Sequence, residues 1–510
     1  MQSRSIASLI DGLPVRLVRG SLECAISDIT EDSRMVSPGC LFIARAGTKA
    51  DGRRFVDDAI DAGAIAVLAD GELDVPTNVT LLTAGDVAGV SAVLAERFFD
   101  SPSRRLTLIG VTGTNGKTTT TYLIQQLLAD AALKCGLIGT VQVDDGAKRE
   151  TANLTTPPAI ELSRAMSRMV RNGCAACVME ASSHALHQQR TAGLQFRIGV
   201  FTNLTGDHLD YHQTMDEYLA AKAILFQRLP SAADGGVAVV NGDDPSSDAI
   251  IQRTKARMLR CSEHDAAADC FTKLHRQTLT HTESTFRGPW GTLDVNLPLV
   301  GAHNVMNALQ AIAVAHACGV DAEALRSGIE TCTAPPGRLE PVTNADHPFA
   351  VLVDYAHTDD ALSNVLRALR PIVPEQGRLR VVFGCGGDRD RTKRPRMAGV
   401  ACRFADEVII TSDNPRTENA QSIIDEIRTG VPPERLAGTL SLVDRAAAIN
   451  EAVRRGREGD IILIAGKGHE DYQIIGTTKR PFDDRLIAAA ALRARFNKTQ
   501  PAMAQNGKNR

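Results

Sequence analysis

The run Gly113-Thr114-Asn115-Gly116-Lys117-Thr118-Thr119 gathers the groups that cradle a triphosphate. Glycines let backbone N–H groups converge on phosphate oxygens, and a helix N-terminus adds partial positive charge. Lys117 supplies a point charge, and the hydroxyl of Thr118 or Thr119 can reach Mg²⁺. The strict P-loop pattern has Gly where this chain has Val111, so the loop is a variant. A β-branched run, Leu106 to Val111, precedes the loop and a helical pattern, Tyr122 to Leu128, follows it. Strand, loop and helix in that order predict binding of a nucleoside triphosphate.

Other residues could do chemistry beside it. Glu180 closes a strand pattern and precedes Ser182-Ser183-His184, where a carboxylate can reach a metal held by the phosphate loop or cap the next helix. Asp207-His208-Leu209-Asp210-Tyr211-His212 packs hard and borderline ligands into one short loop. Its spacing matches no zinc pattern, so a magnesium or phosphate role is preferred to a capping loop. Lys222 sits in the nearly apolar run Tyr218 to Phe226, where a lysine must snorkel, pair or lose its charge; read from the residues alone, it snorkels. The basic stretch Arg389 to Arg396 has no interleaved aromatic residues, so a small anion is preferred to nucleic acid as its ligand.

These groups need elements to position them. Continuous apolar strands alternating with helices predict an α/β chain with mostly parallel sheets covered on both faces. A first segment holds strands Gly39 to Ala44 and Ala64 to Ala69, and a turn-rich joint, Ser101-Pro102-Ser103-Arg104, precedes the phosphate loop. The second carries strands Ala176 to Met179, Gly199 to Thr202 and Gly236 to Val240, an alternating stretch Thr278 to Val300 expected as a hairpin insertion, and a helix Asn304 to Cys318. After Pro335-Pro336-Gly337 a third unit has strands Phe349 to Val353, Leu379 to Phe383, Glu407 to Thr411 and Asp460 to Ala465, each running into a polar loop. Ligands of open parallel sheets bind beyond the carboxyl ends of the strands, so these loops should form one rim.

At 510 residues several domains are expected, and a net charge of −3 gives no global attraction to nucleic acid or anionic membrane. Eleven scattered cysteines with a single CxxC, Cys174 to Cys177, read as reduced core thiols in preference to a redox motif. No apolar run reaches the roughly 18 residues of a membrane span, and the N-terminus lacks a signal-peptide core.

Taken together the motifs resemble the Mur ligase family along nearly the whole chain. The likeness rests on Gly113 to Thr119, Glu180-Ala181-Ser182-Ser183-His184, Thr202-Asn203-Leu204, Asp207 to His212 and Lys222. It continues through His303-Asn304 with Asn307, Pro336-Gly337-Arg338, Asp354-Tyr355-Ala356-His357-Thr358, Asp413-Asn414-Pro415-Arg416 and Gly466-Lys467-Gly468-His469-Glu470. The resemblance implies an N-terminal UDP-muramoyl-dipeptide domain (1–103), a central P-loop-type ATPase domain (104–336), and a C-terminal Rossmann-like amino-acid domain (337–496). The polar stretch 497–510 is expected to be a disordered tail.

It also implies an ATP-dependent amide ligase adding meso-diaminopimelate to UDP-N-acetylmuramoyl-L-alanyl-D-glutamate, with Mg²⁺ as cofactor, acting in the cytoplasm as a monomer without nucleic acid or membrane. Lys117, His208 and Lys222 become catalytic, and Lys222 becomes a carbamate that holds a second Mg²⁺ beside Thr118, Glu180 and His208, reversing the snorkelling reading. Asn304, Arg338 and Asp354 join Gly113, Thr114, Asn115, Gly116, Lys117, Thr118 and Thr119 at ATP. Ser33, Thr48, Lys49, Ala50, Thr155, Thr156, Ser182, Gln188 and Arg190 meet the UDP-muramoyl dipeptide. Arg389, Asp413, Asn414, Pro415, Arg416, Gly466 and Glu470 meet diaminopimelate. Two positions depart from the family pattern: Asp359 stands where Pro usually follows Tyr-Ala-His-Thr, and Gly206 where a larger residue is common.

Amide formation from a carboxylate needs a leaving group, which phosphoryl transfer supplies as an acyl phosphate. Less than about one part in a hundred of an unperturbed amine is neutral at pH 7, so the site must favour deprotonation, with His208 a candidate. A folylpolyglutamate synthetase would share the ATPase core but lack the long segment before the phosphate loop. A nucleotide switch would not need ligands for two metals.

Overall fold

In the computed structural model, which describes residues 3–47, 51–343 and 347–496, the β-branched runs build three large sheets, beside two short two-stranded ones. The first orders Val15–Arg19, Thr80–Ala84, Ala64–Ala69, Cys40–Ala44 and Asp28–Thr30, parallel except for the antiparallel edge strand Val15–Arg19.

The second sheet has eleven strands among the described residues. Its parallel centre runs Cys135–Ile138, Ala176–Glu180, Thr107–Thr112, Ile198–Phe201, Val237–Asn241, Arg257–Ser262 and Cys270–Gln277. The strand Thr107–Thr112 shows why both faces must be covered: Ile109 and Val111 enter a core with helices Lys117–Asp130 and His303–Ala317, while Leu108 enters the opposite core with Met166, Leu225 and Phe226. Each large side chain so buried contributes about 1.5–3 kcal/mol. The expected hairpin forms from Thr282–Gly288 and Gly291–Leu297, but it is no insertion. Thr282–Gly288 pairs with Cys270–Gln277, so the alternating residues simply extend the sheet, with Phe286, Leu293, Val295 and Leu297 facing the core.

The third sheet orders Glu340–Pro341, Ala350–Asp354, Ile461–Ala465, Leu379–Phe383, Glu407–Thr411 and Leu440–Leu442, parallel except at Glu340–Pro341. Among the described residues no helix is long and apolar enough to cross a membrane. All eleven cysteines are free, and burial pushes the thiols of Cys174 and Cys177 up.

Candidate functional site

The phosphate loop joins the strand Thr107–Thr112 to the helix Lys117–Asp130. Gly113 has φ +149°, and a Cβ there would stand 1.9 Å from Thr202 Oγ1; Gly116 has φ +85°, with Asn307 Oδ1 2.5 Å from where a Cβ would lie. Both positions therefore demand glycine. The neighbouring strand end laces the loop down: Thr114 N donates to Asn203 O (2.9 Å), Asn115 N to Asn203 Oδ1 (2.9 Å), and Thr202 Oγ1 to Asn115 O (2.6 Å). Lys117 Nζ donates to Gly113 O (2.8 Å) and Thr114 O (2.7 Å). Burial lowers its pKa, opposed by Glu180 and Asp207.

Glu180 ends the strand beside the loop, in register with Val111, and is 1 % exposed. Its carboxylate accepts from Thr118 Oγ1 (3.1 and 3.2 Å), Thr140 N (2.8 Å) and Thr140 Oγ1 (3.1 Å). It does not cap the next helix; Ser182 does, accepting from Ala185 N. The snorkelling expectation for Lys222 is corrected. On the helix Met215–Gln227 it is 1 % exposed, donates to Gly113 O (2.8 Å) and lies 4.0 Å from the Tyr218 ring centre, because the helix packs that face against the central sheet. Burial, then repulsion from Lys117, lowers its pKa well below the ordinary lysine value.

His208 has φ 56°, a left-handed conformation uncommon outside glycine, and Asp207 Oδ2 lies 3.6 Å from its Nε2. Desolvation pushes its pKa down to about 4 against the pull of Asp207. Burial raises Asp207, but His208 and His357 outweigh it and hold that carboxyl below its usual value. Thr118, Glu180 and His208 line one cleft and offer a hydroxyl, a carboxylate and an imidazole, donor types that suit Mg²⁺, which needs only one or two protein carboxylates beside substrate phosphates; among the described residues no three His, Cys, Asp or Glu side chains converge as a metal site by themselves.

The third unit supplies the opposite wall. Arg338 Nη2 donates to Thr118 Oγ1 (3.2 Å) and the guanidinium lies 4.7 Å from the Tyr355 ring centre. Asp354 accepts from Leu339 N and Ala356 N, both at 2.8 Å; burial raises its pKa, opposed by Arg338. Asn304 Nδ2 donates to Val300 O (2.7 Å) while its Oδ1 accepts from Asn307 (3.0 Å). A cleft of about 460 Å³ is lined by Gly113–Thr119, Thr155, Glu180, Ser182, His208, Lys222, Asn304, Arg338 and Asp354 together.

The remaining expected residues lie outside that lining. Thr156 Oγ1 donates to Glu180 O (2.7 Å); Gln188 Nε2 donates to Tyr211 Oη (3.2 Å); Arg190 Nη1 donates to Thr156 O (2.7 Å) and its Nη2 to Gln188 Oε1 (2.7 Å). Burial lowers the pKa of Arg190, as does Arg45 nearby, itself 3.1 Å from Glu31. Ser33 begins a single 3₁₀ turn in the first unit. Thr48, Lys49 and Ala50, like the tail 497–510, lie outside the described residues.

The loops of the third sheet do meet in one rim. Asp413 and Asn414 are buried, Pro415 O accepts from Glu418 N (3.1 Å), and half-buried Arg416, at φ 51°, donates from Nη1 to Gly387 O (2.7 Å). Asn414 Nδ2 donates to Glu470 Oε2 (2.9 Å), and Gly466 adopts φ +117° beside Asp413. Arg389 is exposed at the lip. Tyr355, in the cleft wall, stands 5.2 Å from the His469 ring, which carries the rim toward the cleft.

Several residues escaped sequence reasoning. Thr140 clamps Glu180 although a lone threonine in a turn carries no signal. Asp360 Oδ2 accepts from Asn115 Nδ2 (2.8 Å) and Thr205 Oγ1 (2.9 Å), bonding the third unit to the phosphate loop. Lys467 is buried within Gly466-Lys467-Gly468-His469-Glu470, and nothing in that polar run signals its burial. Asp359 explains itself: Thr358 caps the helix Asp359–Leu369, and an acid in its first turn suits the helix dipole as proline at that position suits its φ. It also pairs with Arg396 at 3.0 Å. Gly206 has open space around its Cβ position, so nothing there requires glycine.

Three family models match: "Mur ligase family, catalytic domain" at residues 25–96, "Mur ligase middle domain" at 111–315, and "Mur ligase, glutamate ligase domain" at 337–468. A UDP-N-acetylmuramoyl-L-alanyl-D-glutamate–2,6-diaminopimelate ligase of Gloeobacter violaceus is 45 % identical over 92 % of this chain and 94 % of its own. One of the same name from Syntrophomonas wolfei is 41 % identical over 96 % and 99 %. A solved structure of a ligase of that name superposes with TM-score 0.68 at 33 % identity, covering 97 % of this chain and 99 % of its own. A folylpolyglutamate synthase of Mycobacterium tuberculosis shares the fold at TM-score 0.60 and 20 % identity, over 80 % of this chain and 94 % of its own. With 41–45 % identity to these two relatives over more than nine-tenths of its length, the chain belongs to the Mur ligase family.

Proposed function

We propose that the chain is an ATP-dependent, ADP-forming ligase that joins 2,6-diaminopimelate to the D-glutamyl γ-carboxylate of UDP-N-acetylmuramoyl-L-alanyl-D-glutamate, in cytoplasmic peptidoglycan precursor synthesis. The observation that carries this reading is the single cleft in which the phosphate loop, Glu180, His208 and Lys222 face Arg338 and Asp354 from the third unit. The reading includes domain divisions after residues 103 and 336, action as a monomer, and small molecules as the only partners.

An oxygen of the γ-carboxylate attacks the γ-phosphorus of ATP, the bond to the β–γ bridging oxygen breaks, and ADP leaves an acyl phosphate. Lys117, at the head of its helix, is placed to neutralise charge on the phosphoryl oxygens. Thr118, Glu180, His208 and a carbamate on Lys222 would hold Mg²⁺, which would supply further charge neutralisation. Carbamate formation needs a neutral amine, whose nitrogen bonds to the carbon of CO2 and releases a proton. The lowered pKa of Lys222 favours that species. The neutral imidazole of His208 offers a lone pair to a metal more readily than it stores a proton. The amine of diaminopimelate then attacks the acyl carbon, the carbonyl re-forms, phosphate departs, and the amine proton passes to solvent.

Arg416 selects the amino acid. Diaminopimelate carries a second carboxylate that a guanidinium can grip through two parallel hydrogen bonds, whereas lysine leaves it unpaired. The test is phosphate release with each substrate omitted in turn, and with lysine replacing diaminopimelate. Release is expected only with the complete set. Release without the muramoyl dipeptide, or equal release with lysine, overturns the reading.

A further inference from the structure

Behind the rim lies a lysine that the proposed mechanism does not use. Lys467 is 0 % exposed, follows the strand Ile461–Ala465, and donates from Nζ to Glu470 Oε2 (2.8 Å) and Asn414 Oδ1 (3.2 Å), with Asp413 Oδ1 at 3.6 Å. Burying an ammonium is costly unless it is paired and hydrogen-bonded, and here both conditions are met.

The consequence falls on Asn414, which is 4 % exposed. Its Oδ1 faces two donors, Lys467 Nζ and Ile474 N (2.9 Å), so the amide cannot turn over without setting N–H against N–H. The NH2 group must therefore point the other way, where one hydrogen goes to Glu470 Oε2. Among the described residues no bond is recorded to the second hydrogen of that NH2 group or to Glu470 Oε1. A fixed donor thus stands beside a fixed acceptor, which matches the carboxylate and ammonium carried by one carbon of an amino acid.

We propose that Lys467 is the positioning residue of the amino-acid site: it locks the Asn414 amide and the Glu470 carboxylate into the polarity that reads a zwitterionic amino-acid end. This rests on the function proposed above and names the group that enforces its selectivity. Lys467 acts through Asn414 and Glu470 and touches no reacting atom.

The test uses the full-length enzyme and steady-state rates with each substrate varied. Lys467→Met keeps the stem volume but removes one of the two donors on Asn414 Oδ1, so the amide is held by Ile474 N alone and Glu470 loses a partner. The KM for diaminopimelate should rise about 10- to 100-fold, the range of a lost hydrogen bond to a charged group. The KM values for ATP and the muramoyl dipeptide should stay within about threefold, and the preference over lysine should shrink. Lys467→Gln keeps an N–H for Asn414 Oδ1 and should recover part of the diaminopimelate KM. In an Asn414→Ala background, Lys467→Met should add less than it costs alone, because only its contact with Glu470 remains to be lost. An unchanged diaminopimelate KM in Lys467→Met overturns the proposal, as does a parallel rise in all three KM values. Should Lys467→Met fail to fold, Lys467→Gln decides alone: a rise confined to diaminopimelate supports the proposal, and an equal rise for every substrate refutes it. A parent enzyme that ignores diaminopimelate overturns the proposed function itself, and this inference with it.

Discussion

Asp360 is a carboxylate of the third unit that helps to hold it against the phosphate loop. It lies on the helix Asp359–Leu369 of the third unit, and its Oδ2 accepts from Asn115 in the phosphate loop (2.8 Å) and from Thr205 beyond the neighbouring strand (2.9 Å). Hydrogen bonds to a charged group contribute about 1.5–3 kcal/mol each, and at this half-buried position the lower end applies. Two such bonds come to about 3 kcal/mol, or about a hundredfold in an equilibrium between joined and separated units. The contact to Asn364 (3.3 Å) lies within the same helix and drops out of the difference.

Asp360→Ala should therefore shift the chain toward separated units. Small-angle X-ray scattering should show a larger radius of gyration, and the KM for ATP should rise, by up to the hundredfold of that population shift. Asp360→Asn keeps an acceptor oxygen without the charge, retains bonds of about 0.5–1.5 kcal/mol each, and should fall between. By reciprocity ATP should restore compactness to both variants. A radius of gyration and nucleotide KM indistinguishable from the parent in Asp360→Ala would refute the reasoning.

Arg416→Ala should cost diaminopimelate turnover about 30- to 5000-fold, from about 2–5 kcal/mol for an uncompensated charge partner, while ATP binding measured calorimetrically is retained. Lys222 should acquire a ¹³C-labelled carbamate from labelled bicarbonate, seen by NMR, and Lys222→Ala should lose both that signal and ligase activity. Glu96 is buried against Ser103 and Ser163, and burial raises its pKa. Its contribution to stability is therefore complete below the unfolded carboxyl pKa and declines as pH rises through the higher folded value. Glu96→Gln, which mimics the protonated acid, should gain in melting temperature relative to the parent with rising pH and lose that advantage in acid; an advantage independent of pH would contradict the assignment.

What the sequence made legible was local. The phosphate loop announces itself because the groups it needs are contiguous, and the apolar strand runs appear within about a residue of their ends: Gly199 to Thr202 expected, Ile198–Phe201 found. Burial was not legible, because it depends on what packs against a face. Lys222 reads as a snorkelling lysine until the helix Met215–Gln227 is laid on the sheet. Thr140 becomes a clamp only because Cys135–Ile138 pairs with Ala176–Glu180 and brings its following turn alongside Glu180. The Thr278 to Val300 stretch alternates as a hairpin should, yet nothing in its pattern says that its partner is the strand before it.

The deeper regularity is topological. In the central sheet the carboxyl ends of Ala176–Glu180 and Val237–Asn241 contribute Glu180 and Asn241 to the cleft; in the third sheet the end of Ala350–Asp354 contributes Asp354 and the loop Tyr355 to Thr358. Two parallel sheets thus turn their ligand-binding edges toward one another, where each alone would offer an open crevice. A reaction that makes a phosphorylated intermediate on one edge and captures it from the other gains from this arrangement, since water is displaced only when the edges meet. The contacts that join them, Arg338 on Thr118 and Asp360 on Asn115, fall on the residues expected to hold the nucleotide. Nucleotide binding and closure of the cleft therefore share the same few atoms.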